Sequence, residues 1–183
     1  MKRRMVALFL VLTLALSAMA CGGSKESSNR PAKREASTNG TIVDNMYLSK
    51  DGKVLFKTPA DYKTMDSTAG ELVVHKDYPT TTDNINVTSE KSGAKFEDFK
   101  KEDLEKVYAS MFDEVKTNVF EKVKVDGNDA YKVGFQIKYS GIAMTMYQYI
   151  INADSIYTVT YTDVTGGLKG IMENAEKDIF IYK

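Results

Sequence analysis

The 183-residue sequence holds no tryptophan, one cysteine, one histidine and three prolines. With Cys21 alone, no intramolecular disulfide can form. With His75 alone, no histidine-based metal cluster can form, and no Gly-x-Ser-x-Gly elbow offers it a nucleophile. Asp126-Gly127-Asn128-Asp129 starts like a calcium loop. It lacks the later ligands and the closing glutamate, so it reads as a turn. Thr165-Gly166-Gly167-Leu168-Lys169-Gly170 is glycine-rich but lacks phosphate-loop spacing. Glu97, Asp98, Glu102, Asp103 and Glu105 fall on the polar side of a helical pattern, where a solvated charge run accounts for them. No catalytic cluster, metal site or cofactor is expected, and the chain is expected not to be an enzyme. An excess of positive charge is lacking too. Beyond residue 40 there are 18 basic and 23 acidic residues, a net charge of about −5, which argues against nucleic acid as a partner.

What is present is a pattern of long strands. Ala130 to Asp163 reads as a three-stranded meander. Ser140-Gly141 is a two-residue hairpin turn between alternating runs. It predicts the pairs Tyr139–Ile142, Ile137–Met144, Phe135–Met146, Val133–Gln148 and Tyr131–Ile150, all apolar or aromatic except Gln148. Side chains alternate across a strand, so these residues share one face. A four-residue turn at Asn152–Ser155 continues that face through Ile150–Tyr157, Gln148–Val159 and Met146–Tyr161. The opposite face then carries Lys132, Gly134, Gln136, Lys138, Ala143, Thr145, Tyr147, Tyr149, Thr158, Thr160 and Thr162. Gly134 sits opposite Tyr147, so the ring can lie over bare backbone. This Tyr/Thr face is either a solvated sheet surface or a shallow recognition surface. Lys132, Tyr147, Tyr149, Thr158 and Thr160 are its candidate binding residues, with Asp77 to Asp83 as a loop that could cover them.

The N-terminus carries a different signal. Lys2, Arg3 and Arg4 precede an uncharged, almost wholly apolar run from Met5 to Leu16, followed by small residues up to Cys21. The run is too short for a membrane span. Ser17-Ala18-Met19-Ala20-Cys21-Gly22-Gly23 resembles a bacterial lipoprotein signal, with Ala18 where Leu, Val or Ile is more usual. An ordinary cleavage site at Ala18-Met19-Ala20 is the alternative. The resemblance implies a signal peptide at 1–20, lipidation at Cys21 and a lipid anchor on the extracytoplasmic face of a bacterial membrane. Two acyl chains would give stable anchoring. Gly22 to Gly40 has no large apolar residue and is expected to be a flexible linker, with a typical reach of roughly 25 Å.

Residues 41–183 form one expected domain. Met46–Leu48 and Lys53–Lys57 flank the hairpin turn Asp51-Gly52, and Thr58 to Tyr62 interrupts the strand pattern. Glu71–His75 and Asn84–Ser89 read as strands. Leu104, Val107, Tyr108, Met111, Phe112 and Val115 make one apolar stripe, predicting a helix from about Phe96 to Val115. Val119–Val125 reads as a strand, Leu168 to about Asp178 as a second helix, and Ile179–Tyr182 as an apolar tail. The expected fold class is α+β, with an antiparallel sheet of six to seven strands packed with two main helices.

This order, with Val54-Leu55-Phe56-Lys57-Thr58-Pro59-Ala60-Asp61-Tyr62, Asn84-Ile85-Asn86-Val87, Val125-Asp126-Gly127-Asn128-Asp129-Ala130-Tyr131 and Tyr157-Thr158-Val159-Thr160-Tyr161, resembles the PsbP-like family. That family joins the photosystem subunit PsbP, a nuclear Ran-binding protein and DcrB-type bacterial lipoproteins. The resemblance implies an α/β sandwich and a noncatalytic accessory or binding role, with no family-wide active site. The expected function is a lipid-anchored binding protein for another envelope protein. Capture of a small ligand on the Tyr/Thr face is the alternative.

Overall fold

The computed structural model describes residues 30–67, 70–90 and 96–182. The expected targeting segment and Cys21 lie outside these residues. Two antiparallel sheets pack face to face. The smaller contains β1 (Thr41–Val43), β2 (Met46–Leu48), β3 (Val54–Lys57) and, from the chain's far end, β11 (Ile179–Ile181), in the order β1-β2-β3-β11. The larger contains β4 (Tyr62–Met65), β5 (Glu71–His75), β6 (Asn84–Glu90), β7 (Glu114–Val125), β8 (Asn128–Tyr139), β9 (Ile142–Asn152) and β10 (Ile156–Asp163). Its order is β4-β5-β6-β10-β9-β8-β7. With helix α1 (Lys101–Ala109) on the outer face and the short α2 (Lys169–Met172) at one end, the fold is α+β. Both the hairpin at Asp51-Gly52 and the meander are present, and the apolar tail is a strand, pairing with β3 through Ile179–Phe56 and Ile181–Val54.

The middle of the larger sheet, chiefly β8, β9 and β10, is buried on both sides. Between the sheets lie Tyr47, Val54, Phe56, Val73, Ile85, Tyr149, Ile151, Tyr157, Val159 and Tyr161. On the other side, Tyr131, Val133, Phe135, Ile137, Met146 and Ile150 are covered by Phe96, Phe99 and by Leu104, Tyr108 and Phe112 of the α1 region. Burial of apolar side chains at roughly 1.5–3 kcal/mol each makes this double coverage the main stabilising contribution.

Double coverage also corrects one register. The β8–β9 pairs are those the sequence predicts. The β9–β10 turn is one residue shorter than expected. Ile156 pairs with Asn152, Tyr157 with Ile151, Val159 with Tyr149 and Tyr161 with Tyr147. A one-residue slip sends every side chain of a strand to the other face. Tyr157, Val159 and Tyr161 therefore join Tyr147 and Tyr149 between the sheets, while Thr158, Thr160 and Thr162 turn toward the helix side. Contacts in the short turn fit this register: Ala153 N–H donates to Ser155 O, and Asp154 accepts from the Tyr157 hydroxyl at 2.9 Å and from Lys53 Nζ at 3.0 Å.

The helices are shorter than the apolar stripe suggests. A 3-10 turn at Phe96–Asp98 precedes α1, and Glu114 already begins β7. Val115 pairs with Ile137 as a strand residue, because the β-branched run Val115-Lys-Thr-Asn-Val119 fits a pleated surface better than a helix. The second helix stops at Met172 and resumes only as a 3-10 turn at Ala175–Lys177.

The expected linker also differs over residues 30–40. Arg34 donates to Met46 O at 3.1 Å and Val43 O at 2.7 Å, and the Tyr182 hydroxyl donates to Pro31 O at 3.1 Å. Residues 30–40 thus lie against the domain.

Candidate functional site

A cleft of about 290 Å³ opens where the smaller sheet no longer covers the larger one. Its floor is the inner face of β8 and β9 near their shared turn. One wall is β7 and the other is α2 with the loop 164–168.

Three features of the chain build the floor together. The β7–β8 register shifts between Thr117 and Val119, leaving Asn118 as an extra residue in a β-bulge. Asn118 thereby lies over Gly134. A Cβ on Gly134 would stand 2.9 Å from Asn118 Oδ1, 3.0 Å from Val119 Cβ and 3.1 Å from Tyr147 Cζ. Only a glycine leaves room for the amide and the ring at once. Further along, Gln136 and Thr145 pair across the strands, with Gln136 Nε2 donating to Thr145 Oγ1 at 3.2 Å.

Tyr147 is 7% exposed, and its hydroxyl, which bonds no described residue, is the part that reaches solvent at the cleft. Burial raises its pKa, and the negative charges of Glu173 and Glu121 add to the effect, so the phenol stays protonated as a donor. Lys169 and Glu173 stand one turn apart on the α2 side and both line the cleft, but neither side chain makes an ion pair among the described residues. Met172 lies 2% exposed beneath them.

Buried acids hold the rim. Asp83 is 1% exposed and accepts from Val164 N at 2.7 Å, Thr165 N at 3.1 Å and the Thr165 hydroxyl. Asp163 accepts from Gly166 N at 2.8 Å. These bonds tie the loop after β10 to the loop before β6.

The five residues expected to share one wet face do not share it. Tyr147 lines the cleft. Tyr149 is wholly buried between the sheets. Its hydroxyl lies 2.8 Å from Met172 O and 2.9 Å from Glu176 Oε2, and it accepts from Ala175 N at 3.2 Å. Lys132 donates to Glu173 O, stands 3.6 Å from Glu176 Oε2 and lies 5.9 Å from the Tyr147 ring centroid. Tyr149 and Lys132 therefore fasten the segment 172–176 onto the sheet. Thr158 and Thr160 project to the opposite side, where Thr160 Oγ1 accepts from Gln148 Nε2 at 3.1 Å. Burial on both faces is the physical reason: the surface expected to be wet is largely an interior. The interior does not take in the whole face, since Gln136, Lys138 and Ala143 near the turn stay exposed.

The cleft residues that sequence reasoning passed over are Asn118, Lys169 and Glu173. The opposition of Gly134 and Tyr147 was the available signal for them. His75 has a local role. Its Nδ1 accepts from Asp77 N at 3.2 Å, leaving Nε2 to donate to Asp61 Oδ2 at 3.0 Å. Among the described residues, no group of three or more His, Cys, Asp or Glu side chains could hold a metal ion. No helix among them is long and apolar enough to cross a membrane.

No family model matches the chain, and no curated protein matches it. Solved structures do. A cyanobacterial PsbP (CyanoP) from Synechocystis sp. PCC 6803 superimposes with a TM-score of 0.55 at 10% identity, covering 75% of this chain and 91% of that one. A structure from Bacteroides thetaiotaomicron VPI-5482 gives a TM-score of 0.50 at 15% identity, covering 76% of this chain and 48% of the other. At such identities the likeness is one of fold, and the fold is PsbP-like.

Proposed function

We propose that this chain is a lipid-anchored, extracytoplasmic binding protein whose noncatalytic domain captures a small polar ligand in the cleft beside α2. The observation that carries the reading is the Tyr147 hydroxyl: neutral, without a protein partner among the described residues, and open to the cleft whose wall its ring forms. A solvent-reached donor in a cleft can exchange its water for a ligand acceptor, at little cost to the free protein. Asn118, Gln136 and Thr145 add groups that both donate and accept, and Lys169 and Glu173 supply one charge of each sign. The lining suits a compact molecule of no net charge bearing several hydroxyl or amide groups. The anchor is supported by the lipobox-like run ending at Cys21.

The test is thermal stability of the protein against a library of hydroxylated metabolites, amino acids and cell-wall fragments, because a ligand of the folded state raises the melting temperature by mass action. A saturable shift that disappears in Tyr147→Phe and Asn118→Ala supports the cleft. A shift unchanged in both variants places the ligand elsewhere and removes this reading.

A protein partner is the second reading. Tyr139 and Ile142 pair across the β8–β9 turn at 44% and 48% exposed, an apolar tip next to the cleft. Cross-linking from a probe at residue 142 in native membranes that yields no specific protein band counts against it.

A further inference from the structure

We infer that residues 30–40 are a strap fixed to the domain, which sets the lipid anchor at one end of the larger sheet and the cleft at the other. The inference rests on acylation of Cys21 as proposed above.

The strap begins at a built contact. Arg30 Nη2 stands 3.4 Å from Asp126 Oδ2 and donates to Ile181 O, and its guanidinium carbon lies 4.7 Å from the Tyr182 ring centroid. The Asp126 side chain is only 3% exposed and also accepts from Ile181 N at 2.9 Å. A buried carboxylate needs a cation or several donors, and Arg30 supplies the cation. Arg34 then bonds the carbonyls of Val43 and Met46, the Tyr182 hydroxyl bonds Pro31 O, and Gly40 N donates to Leu48 O at 2.7 Å as the chain enters β1. A free spacer would leave Asp126 without this partner.

Asp126 forms the β7–β8 turn. The cleft residue Gln136 lies eight residues beyond Asn128 along β8, roughly 26 Å at the usual rise of a strand. The exposed Tyr139–Ile142 tip is farther still. Eight residues, 22–29, separate Cys21 from Arg30. Nine Cα steps cannot reach beyond about 32 Å. If the tether ran free to Thr41 it would have twenty steps and reach more than twice as far. The strap therefore keeps the β7–β8 turn nearer the anchor, on average, than the cleft and the Tyr139–Ile142 tip.

The experiment uses the full chain with Cys21 acylated, inserted in phosphatidylcholine vesicles carrying a rhodamine lipid. With Cys21 blocked by lipid, an introduced cysteine is the sole free thiol. A donor dye at Lys124→Cys, beside the β7–β8 turn, is expected to show several-fold stronger energy transfer to the bilayer than the same dye at Ile142→Cys. Arg30→Ala is expected to erase most of that difference. Equal transfer from both positions in the otherwise unchanged protein overturns the inference. Mass spectrometry of the N-terminal peptide separates the two ideas: an unmodified Cys21 overturns the anchor. The strap is then judged by trypsin, which should cut after Lys33 and Arg34 several-fold faster in Arg30→Ala. Equal cleavage rates overturn the strap.

Discussion

The ring of Tyr147 lies over the bare α-carbon of Gly134, its cross-strand partner, with 3.1 Å between the ring's Cζ and the place a Cβ would take. Asn118 and Val119 crowd the same point at 2.9 and 3.0 Å. Gly134→Ala is therefore expected to destabilise the domain by roughly 1–3 kcal/mol, the usual cost of overpacking. It should also push the Asn118 amide and the Tyr147 ring outward and weaken binding in the cleft. Urea unfolding with an unchanged m-value reads the first effect, and ligand titration the second.

Deleting Asn118 tests the bulge. Thr117 pairs with Phe135 and Val119 with Gly134, so removal of the extra residue restores a regular ladder. The variant should fold with near-normal circular dichroism and lose cleft binding. Retained affinity would show that the bulge does not shape the site.

Two tyrosines two residues apart should respond differently to loss of the hydroxyl. Tyr149→Phe removes a buried oxygen that accepts from Ala175 N and contacts Met172 O and Glu176, and should cost about 1–3 kcal/mol. Tyr147→Phe removes a hydroxyl with no protein partner and should leave stability within about 0.5 kcal/mol. Chemical denaturation of the pair checks the contrast, and equal losses would contradict it.

Asp83→Ala should loosen the rim. It deletes a buried carboxylate that takes two backbone N–H donors and a hydroxyl from Val164 and Thr165. A loss of roughly 2–3 kcal/mol is expected for charge-assisted bonds. Amide exchange at Val164 and Thr165 should accelerate more than exchange in β8.

Burial makes the domain sensitive to alkali. It raises the phenol pKa of Tyr47, Tyr62, Tyr149, Tyr157 and Tyr161, and pushes Tyr108 up to about 12 against a small opposing hydrogen bond from Gln148. A folded-state pKa above the unfolded value of about 10 stabilises fully below that pH and is lost as pH rises through the folded value. Unfolding should therefore begin above about pH 10, with tyrosinate absorbance and loss of ellipticity rising together in one step. Tyrosinate signal appearing well before any loss of ellipticity would show that the buried phenols ionise within the fold.

Much of the fold was legible because its signals are local. Ser140-Gly141 between alternating runs fixed the β8–β9 pairs, and Asp51-Gly52 fixed the β2–β3 hairpin. The helical stripe at Leu104 and Tyr108 was genuine, but it ran on through Phe112 and Val115. Val115 contributes to the same apolar layer from a strand, so periodicity alone placed the helix end too late. Of the candidate site, Tyr147 and its glycine were visible as a pair. Asn118 was not, because a bulge is a property of two strands and leaves no mark on either alone.

By itself the sequence determined the α+β class, the long meander, the turns that open it and the absence of a disulfide. Each follows from residue type, spacing or count. The tertiary structure decided which faces are wet. β11 pairs with β3 across more than a hundred residues of chain, completing a second sheet that covers Tyr149, Tyr157 and Tyr161. With both faces of the larger sheet buried, the alternation along β10 no longer distinguishes core from solvent, and either register buries apolar groups. Packing between the sheets selects the one that places Tyr161 beside Phe56 and Tyr149, at ring separations of 6.4 and 6.1 Å. The cleft is what that packing leaves uncovered.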